Sequence, residues 1–359
     1  MFANSNPSGN FNTTGQDLEP DDPGVMLSNR VTHVFIMVNY VFLSTIISLF
    51  GIAANSLNMR VLARQGFHNT MNISFMGMAI SDMASLVTLL FLNVCLSPFF
   101  HAFNEIHYLF GAWLHGCAAR ITGWITVYIT VERYLSIARP LQVKTYVTAK
   151  RAVTIICLIY VFNLLTLIPE VSTIYLDWNM FLTPGAVMES ITSSSKGMTI
   201  VALVFSVHAF LTIMSFIALA VFTSILVIKL KEKSKWRSKA THGHGQDEAV
   251  SVRDKKTVTV IIFVATLLIL CYVPTVTFSI VSSSVPEFSL FGRESNVFYV
   301  AWSFAFITHS CNSSVIIFIY YKMSSRYRAT FKQVVAQYFH RRPLEQADVD
   351  GVNVTNTRF

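Results

Sequence analysis

Charged and polar side chains interrupt this sequence where hydrocarbon would otherwise run on. Asp82 closes the stretch MNISFMGMAIS, Arg120 lies midway along an apolar run, and Glu132-Arg133-Tyr134 stands near that run's end. An ionised group in such a setting is costly, so each of them implies a partner or a task. Asp82 can accept several hydrogen bonds, and Asn55 in Gly51-Ile-Ala-Ala-Asn55 is a candidate to share a polar hub with it. Arg133 stays charged and can fork to two acceptors, so its pairing with Glu132 reads as a membrane-edge anchor or as a lock that opens. Arg120 calls either for a carboxylate-bearing ligand or for helix carbonyls, water and polar neighbours. Around it, His115, His208, Tyr272, Trp302 and His309 are the other polar groups able to face a cavity. An imidazole there serves as a neutral hydrogen-bonding group or as a pH sensor. None of these residues forms an enzyme's constellation. The runs contain no His-Glu-x-x-His, no nucleophile beside a base and no Cys-x-x-Cys.

The elements that must hold these residues are membrane helices. The chain is 359 residues long, 53% hydrophobic and only 13% charged, with a mean hydropathy of +0.52. A soluble chain carries roughly a quarter charged residues. Crossing a bilayer takes about 20 largely apolar residues, and seven segments qualify: 31–62, 71–97, 108–138, 150–170, 198–228, 256–284 and 295–321. The expected fold is an all-α membrane protein, a single seven-transmembrane helix bundle. A transporter would show repeated halves or several intramembrane charges, and neither is present. Cys95, Cys117, Cys157, Cys271 and Cys311 lie in or beside apolar runs and read as small buried hydrophobes.

Basic residues set the orientation. Of the 27 Lys and Arg, 23 fall in the loops and tail on one face, which places that face inside. The net charge of +8 is therefore membrane topology and requires no nucleic acid. Residues 1–30 read as a disordered extracellular tail, acidic, with a glycosylation sequon at Asn12, and residues 31–322 as the bundle. Residues 323–340 read as an amphipathic helix on the inner membrane surface and 341–359 as a disordered cytoplasmic tail. The basic loop 229–256 reads as extensions of spans five and six around Gly-His-Gly, facing anionic lipid and a protein partner.

Two positions supply movement. Pro274 removes a backbone hydrogen bond within span six and kinks it. Asp254 precedes Pro274 by 20 residues, or about 30 Å of helix, which brings it to the inner rim near Arg133. Glu132 and Asp254 are thus the expected holders of Arg133 at rest.

In this order, one motif to a span, the residues resemble the rhodopsin-like (class A) G-protein-coupled receptors over 40–332. Glu132-Arg133-Tyr134 is similar to that family's Asp/Glu-Arg-Tyr switch. Cys271-Tyr-Val-Pro274 is similar to its Cys-Trp-x-Pro, and Arg139-Pro140-Leu141 to its second inner loop, which contacts the G protein. The blocks RQGFHNTMNISFMGMAISDMASL and RITGWITVYITVERYLSIARPL further resemble expanded chemosensory-type receptors of molluscs. Those lie near FMRFamide-like peptide receptors, whose seventh span often reads Asn-Ser-Ser-Val-Asn-Phe. The resemblance implies a plasma-membrane receptor that turns an extracellular small molecule, or alternatively a neuropeptide, into heterotrimeric G-protein activation.

Departures from the family pattern are equally specific. Tyr320 is kept in span seven, but Ile316 and Ile317 stand where the family has Asn-Pro or Asn-Phe. A sodium site like the family's would retain Asp82, Thr122, Asn312 and Ser313 but lose its last polar ligand, which puts sodium in doubt; no other cofactor is expected. Tyr272 replaces the sixth-span Trp. Tyr108 replaces the third-span Cys of the outer disulfide, and 170–197 contain no Cys. Span seven has no Lys for a retinal Schiff base, and His115 stands where monoamine receptors carry Asp.

Overall fold

The computed structural model describes residues 24–98, 105–169, 195–240, 245–290 and 292–340, and every regular element among them is a helix. Span one is Asn29–Gln65, span two Thr70–Cys95, span three Glu105–Ala138 and span four Ala149–Leu165. Spans five, six and seven are Ser195–Ala240, Gly245–Ser284 and Ser295–Met323, and a terminal helix covers Ser325–His340. The helices pack in a ring, one on two, two on three, three on five, five on six, six on seven and seven back on one. Span four rides outside, against spans two and three. Asn12 and the tails lie outside the described residues.

Caps explain where several spans begin. Ser28, Asn69 and Thr148 each accept a hydrogen bond from a backbone N–H of the following turn, satisfying a donor the helix leaves open. Span one stops at Gly66, whose φ of 79° suits a residue without Cβ, and span two starts only four residues later. The chain therefore reverses tightly there.

Among the described residues, five helices are long and apolar enough to cross a membrane: Asn29–Gln65, Thr70–Cys95, Ala202–Lys233, Ile261–Ser284 and Ser295–Lys322. Span four falls short because its described helix has 17 residues. Span three is long enough, at 34 residues, but more polar. It tolerates that polarity because it packs against spans two, four, five and six, so its polar side chains meet protein. Many buried side chains are polar, among them Asn55, Asp82, His115 and Arg120, whereas Leu158, Phe162, Phe210 and Leu270 are each more than half exposed on the outside. Apolar surface on this scale belongs against hydrocarbon tails.

Two irregularities shape the interior. Span one winds as a π-helix over Met37–Ser44, which brings Asn39, Tyr40 and Ser44 together on its buried face. Pro274 lies inside span six, where the ring displaces carbonyls of the preceding turn. Thr308 of span seven donates to one of those carbonyls, that of Cys271, at 3.2 Å. Of the five cysteines, all free, only Cys95 and Cys117 meet the buried expectation; Cys271 and Cys311 are partly buried and Cys157 is exposed.

Candidate functional site

Three polar layers are stacked along the bundle. At the basic end, Arg133 Nη2 donates to Glu132 Oε1 at 2.8 Å, and Glu132 is only 1% exposed. Thr70 Oγ1, on the first residue of span two, donates to the same carboxylate oxygen. Thr70 was not among the expected lock residues, although Asn69-Thr70 at the mouth of a helix is a recognisable cap. Asp254 belongs to span six, but its side chain lies outside the described residues. Tyr134 is half-buried against the core, whereas Pro140 and Leu141 are exposed, Leu141 by 94%.

The Tyr320 hydroxyl is buried and unpartnered, and its ring lies 4.6 Å from Phe75 and 5.7 Å from Tyr327. Tyr327, in the terminal helix, donates to Asn58 Oδ1 at 3.1 Å. Burial pushes its phenol above the ordinary tyrosine range, so it remains a donor.

The middle layer centres on Asp82, fully buried. Its Oδ1 accepts from Thr122 Oγ1 and from Ser313 Oγ, each at 2.9 Å, and Ser81 joins Thr122 at 2.7 Å. Asn55 does not share this hub as the sequence suggested. It donates instead to the carbonyls of Gly51 at 3.0 Å and Ser313 at 2.9 Å. The cause is the close approach of spans one and seven: a Cβ on Gly51 would collide with Ser314 Oγ and come within 2.6 Å of Leu86 Cδ1. Asp82 Oδ2 and both amide atoms of Asn312 are buried without partners. Asp82 Oδ2, Asn312 Oδ1 and the hydroxyls of Thr122 and Ser313 are oxygen groups of the kind a small cation takes. Ile316 and Ile317, both buried, add only hydrocarbon to that set.

In the third layer, His115 Nδ1 lies 2.9 Å from Ser85 Oγ and its ring 5.3 Å from that of His309. His309 Nε2 is 3.4 Å from the Tyr272 hydroxyl, which itself donates to the Ala119 carbonyl of span three. Gly123 makes room for that reach, since a Cβ there would lie 3.1 Å from Tyr272 Oη. Trp302 meets Phe306 edge to face at 5.9 Å, and Phe306 meets His115 in the same way at 4.8 Å. The structure thus joins His115, Tyr272, Trp302 and His309 in one aromatic cluster. Arg120 of span three and His208 of span five are both buried, with His208 Nε2 3.3 Å from the Thr166 carbonyl. Sequence reading missed the polar face of span one, where Asn39 Nδ2 donates to Ser303 Oγ at 2.7 Å.

Layers of this kind, threaded on one central helix, can carry a change of packing from one end of a bundle to the other. The sequence pattern of the seven-transmembrane receptors (rhodopsin family) matches residues 54–320, most of the chain. The chain belongs to this receptor family. No curated protein matches it. The receptor's matched region runs from Ala54, next to Asn55, to Tyr320 and so takes in Asp82, Arg120, Arg133 and Pro274. As a G-protein-coupled receptor it is a multi-pass membrane protein that transduces signals, with a G protein and an extracellular ligand as its general partners.

Proposed function

We propose that this receptor sits in the plasma membrane with its N-terminus outside and converts a small chemosensory ligand into heterotrimeric G-protein activation. The observation that carries the coupling half is Glu132–Arg133. A carboxylate almost wholly removed from solvent holds the guanidinium, and Thr70 braces that carboxylate. In the resting state Arg133 is sequestered. Outward movement of span six about Pro274 exposes it to the G protein, with Asp254 as the second holder on the moving helix. An Asp254→Asn receptor that reaches the surface should signal without ligand; unchanged basal signalling would remove Asp254 from the lock.

The ligand half rests on the polar groups of spans three, five, six and seven. Arg120 on span three suits a carboxylate-bearing agonist, and its burial makes the attraction strong once water is excluded. Screening G-protein activation against amino acids, organic acids, odorants and amidated peptides tests this directly. Loss of response to every acidic agonist in Arg120→Gln supports the assignment, and an unchanged response ends it. Asn312-Ser-Ser-Val favours the neuropeptide alternative, because it matches the peptide-receptor branch before diverging at Ile316. Response to amidated peptides alone would select that reading. Should the Asp82 layer hold sodium, millimolar changes in external sodium would shift agonist affinity.

A further inference from the structure

In the third layer, His115 of span three and His309 of span seven lie with ring centres 5.3 Å apart and planes at 85°. Both are buried, at 1% and 3% exposure. Their hydrogen bonds fix which nitrogen of each ring carries the proton. His115 Nδ1 lies 3.0 Å from the Ser85 carbonyl, which can only accept, so Nδ1 bears the hydrogen and Nε2 the lone pair. The Tyr272 hydroxyl gives its own proton to the Ala119 carbonyl. His309 Nε2, 3.4 Å from that hydroxyl oxygen, is therefore a donor, and His309 Nδ1 keeps the lone pair.

Those two lone pairs are the atoms left over. His115 Nε2 and His309 Nδ1 are buried with no hydrogen-bond partner among the described residues. A buried acceptor without a partner is costly, and one ion taking both lone pairs satisfies them together. The spacing suits such an ion. With zinc–nitrogen bonds of about 2 Å, each ring centre would lie about 3.2 Å from the metal. Rings 5.3 Å apart then subtend about 110° at it, close to the tetrahedral angle. The outer contacts suit it too, because a ligating histidine ordinarily donates its other ring N–H to a carbonyl or hydroxyl that fixes its orientation. Phe306 packs on His115 and Trp302 on Phe306, an apolar cover that limits competition from bulk water.

We infer that His115 Nε2 and His309 Nδ1 bind one zinc ion between spans three and seven. Imidazole nitrogens select zinc or copper over magnesium, calcium and sodium, which take oxygen. The pair is thus chemically distinct from the oxygen set around Asp82. Among the described residues no third His, Cys, Asp or Glu joins the two rings. The remaining positions go to water, which zinc acidifies so that a bound hydroxide offsets part of its charge.

The test is a titration of the full chain in phosphatidylcholine nanodiscs with cobalt(II), a coloured stand-in for zinc. Neither agonist nor G protein is present, so failure here is distinct from failure of the receptor reading. The wild type should develop the intense visible bands of four-coordinate cobalt, bleached by zinc but not by magnesium or calcium. Copper(II) in the same site should show coupling to two nitrogens in its electron paramagnetic resonance spectrum, a readout that needs no variant. His115→Phe and His309→Phe should each lose the cobalt bands. Tyr272→Phe keeps both ligands but removes the partner of His309 Nε2, and should weaken zinc about tenfold. The inner loop carries a second pair, His242 and His244, and the His242→Ala/His244→Ala receptor should keep the bands. Absence of bands in the wild type, undiminished bands in either Phe variant, or their loss with the inner-loop pair would overturn the proposal.

Discussion

The two sides of this bundle are fastened differently. Spans one, two and seven are joined by polar bonds along their length. Asn39 reaches Ser303, Asn93 reaches Ser44, Asn55 reaches the Ser313 carbonyl, and Ser314 reaches the Ile47 carbonyl. The same seam continues past both ends: Asn296 holds the Leu27 carbonyl, and Tyr327 of the terminal helix holds Asn58. Spans five and six are held mainly by hydrocarbon. Val127, Leu219, Ala265 and Leu268 surround Tyr272, whose hydroxyl ties span six to span three.

Apolar contacts slide at small cost because they have no direction, while each buried hydrogen bond must be broken and remade. In the proposed mechanism the one–two–seven side is therefore the rigid part and span six the moving one, hinged at Pro274. The altered seventh span belongs to the rigid part. Ile316 and Ile317 bury hydrocarbon in a helix that spans one and two pin through polar bonds.

The largest effect should come from driving the rigid side apart. Gly51→Val places two methyl groups where Ser314 and Leu86 already meet the backbone, and overpacking of that kind costs about 1–3 kcal/mol or more. Surface expression should fall more than tenfold, with a lowered thermal midpoint in detergent. Wild-type expression would show that the seam is not tight.

Next comes the lock. Glu132→Gln leaves Arg133 without its ion pair and should raise ligand-independent G-protein turnover several-fold, because the guanidinium is only partly shielded. Thr70→Val should act in the same direction but more weakly. A Thr70→Val receptor with higher basal turnover than Glu132→Gln would reverse the assigned hierarchy.

Tyr272→Phe keeps the ring and deletes its bond to the Ala119 carbonyl, a net loss of about 1 kcal/mol. Basal activity should increase up to about fivefold, since that bond restrains the helix proposed to move. Asn39→Leu removes a bond of similar worth, about 1 kcal/mol, from the rigid side. It should lower the thermal midpoint slightly and leave basal turnover unchanged. Equal activation by these two variants would erase the distinction between the halves.

Much of the site was visible in the residues themselves. Glu132, Arg133, Asp82 and Arg120 stood out because charge is rare in apolar helices, and Pro274 because its backbone has no donor. Their partners were less visible. Asn55 and Ser313 are 258 positions apart and Thr70 and Glu132 are 62 apart, and nothing local to either residue specifies the other. The π-helix of Met37–Ser44 carries no proline or glycine to announce it. Its polar face follows from what spans two and seven offer it.

The sequence alone determined that this protein lives in a membrane, because hydropathy and charge distribution are sums over residues and need no contacts. It also determined which residues carry charge into the bundle and where span six can bend. Only the tertiary structure decided which partner each buried polar group takes. Those choices depend on helix approach to within an ångström or so. A missing Cβ at Gly51 sends Asn55 to span seven, and another at Gly123 lets Tyr272 reach span three.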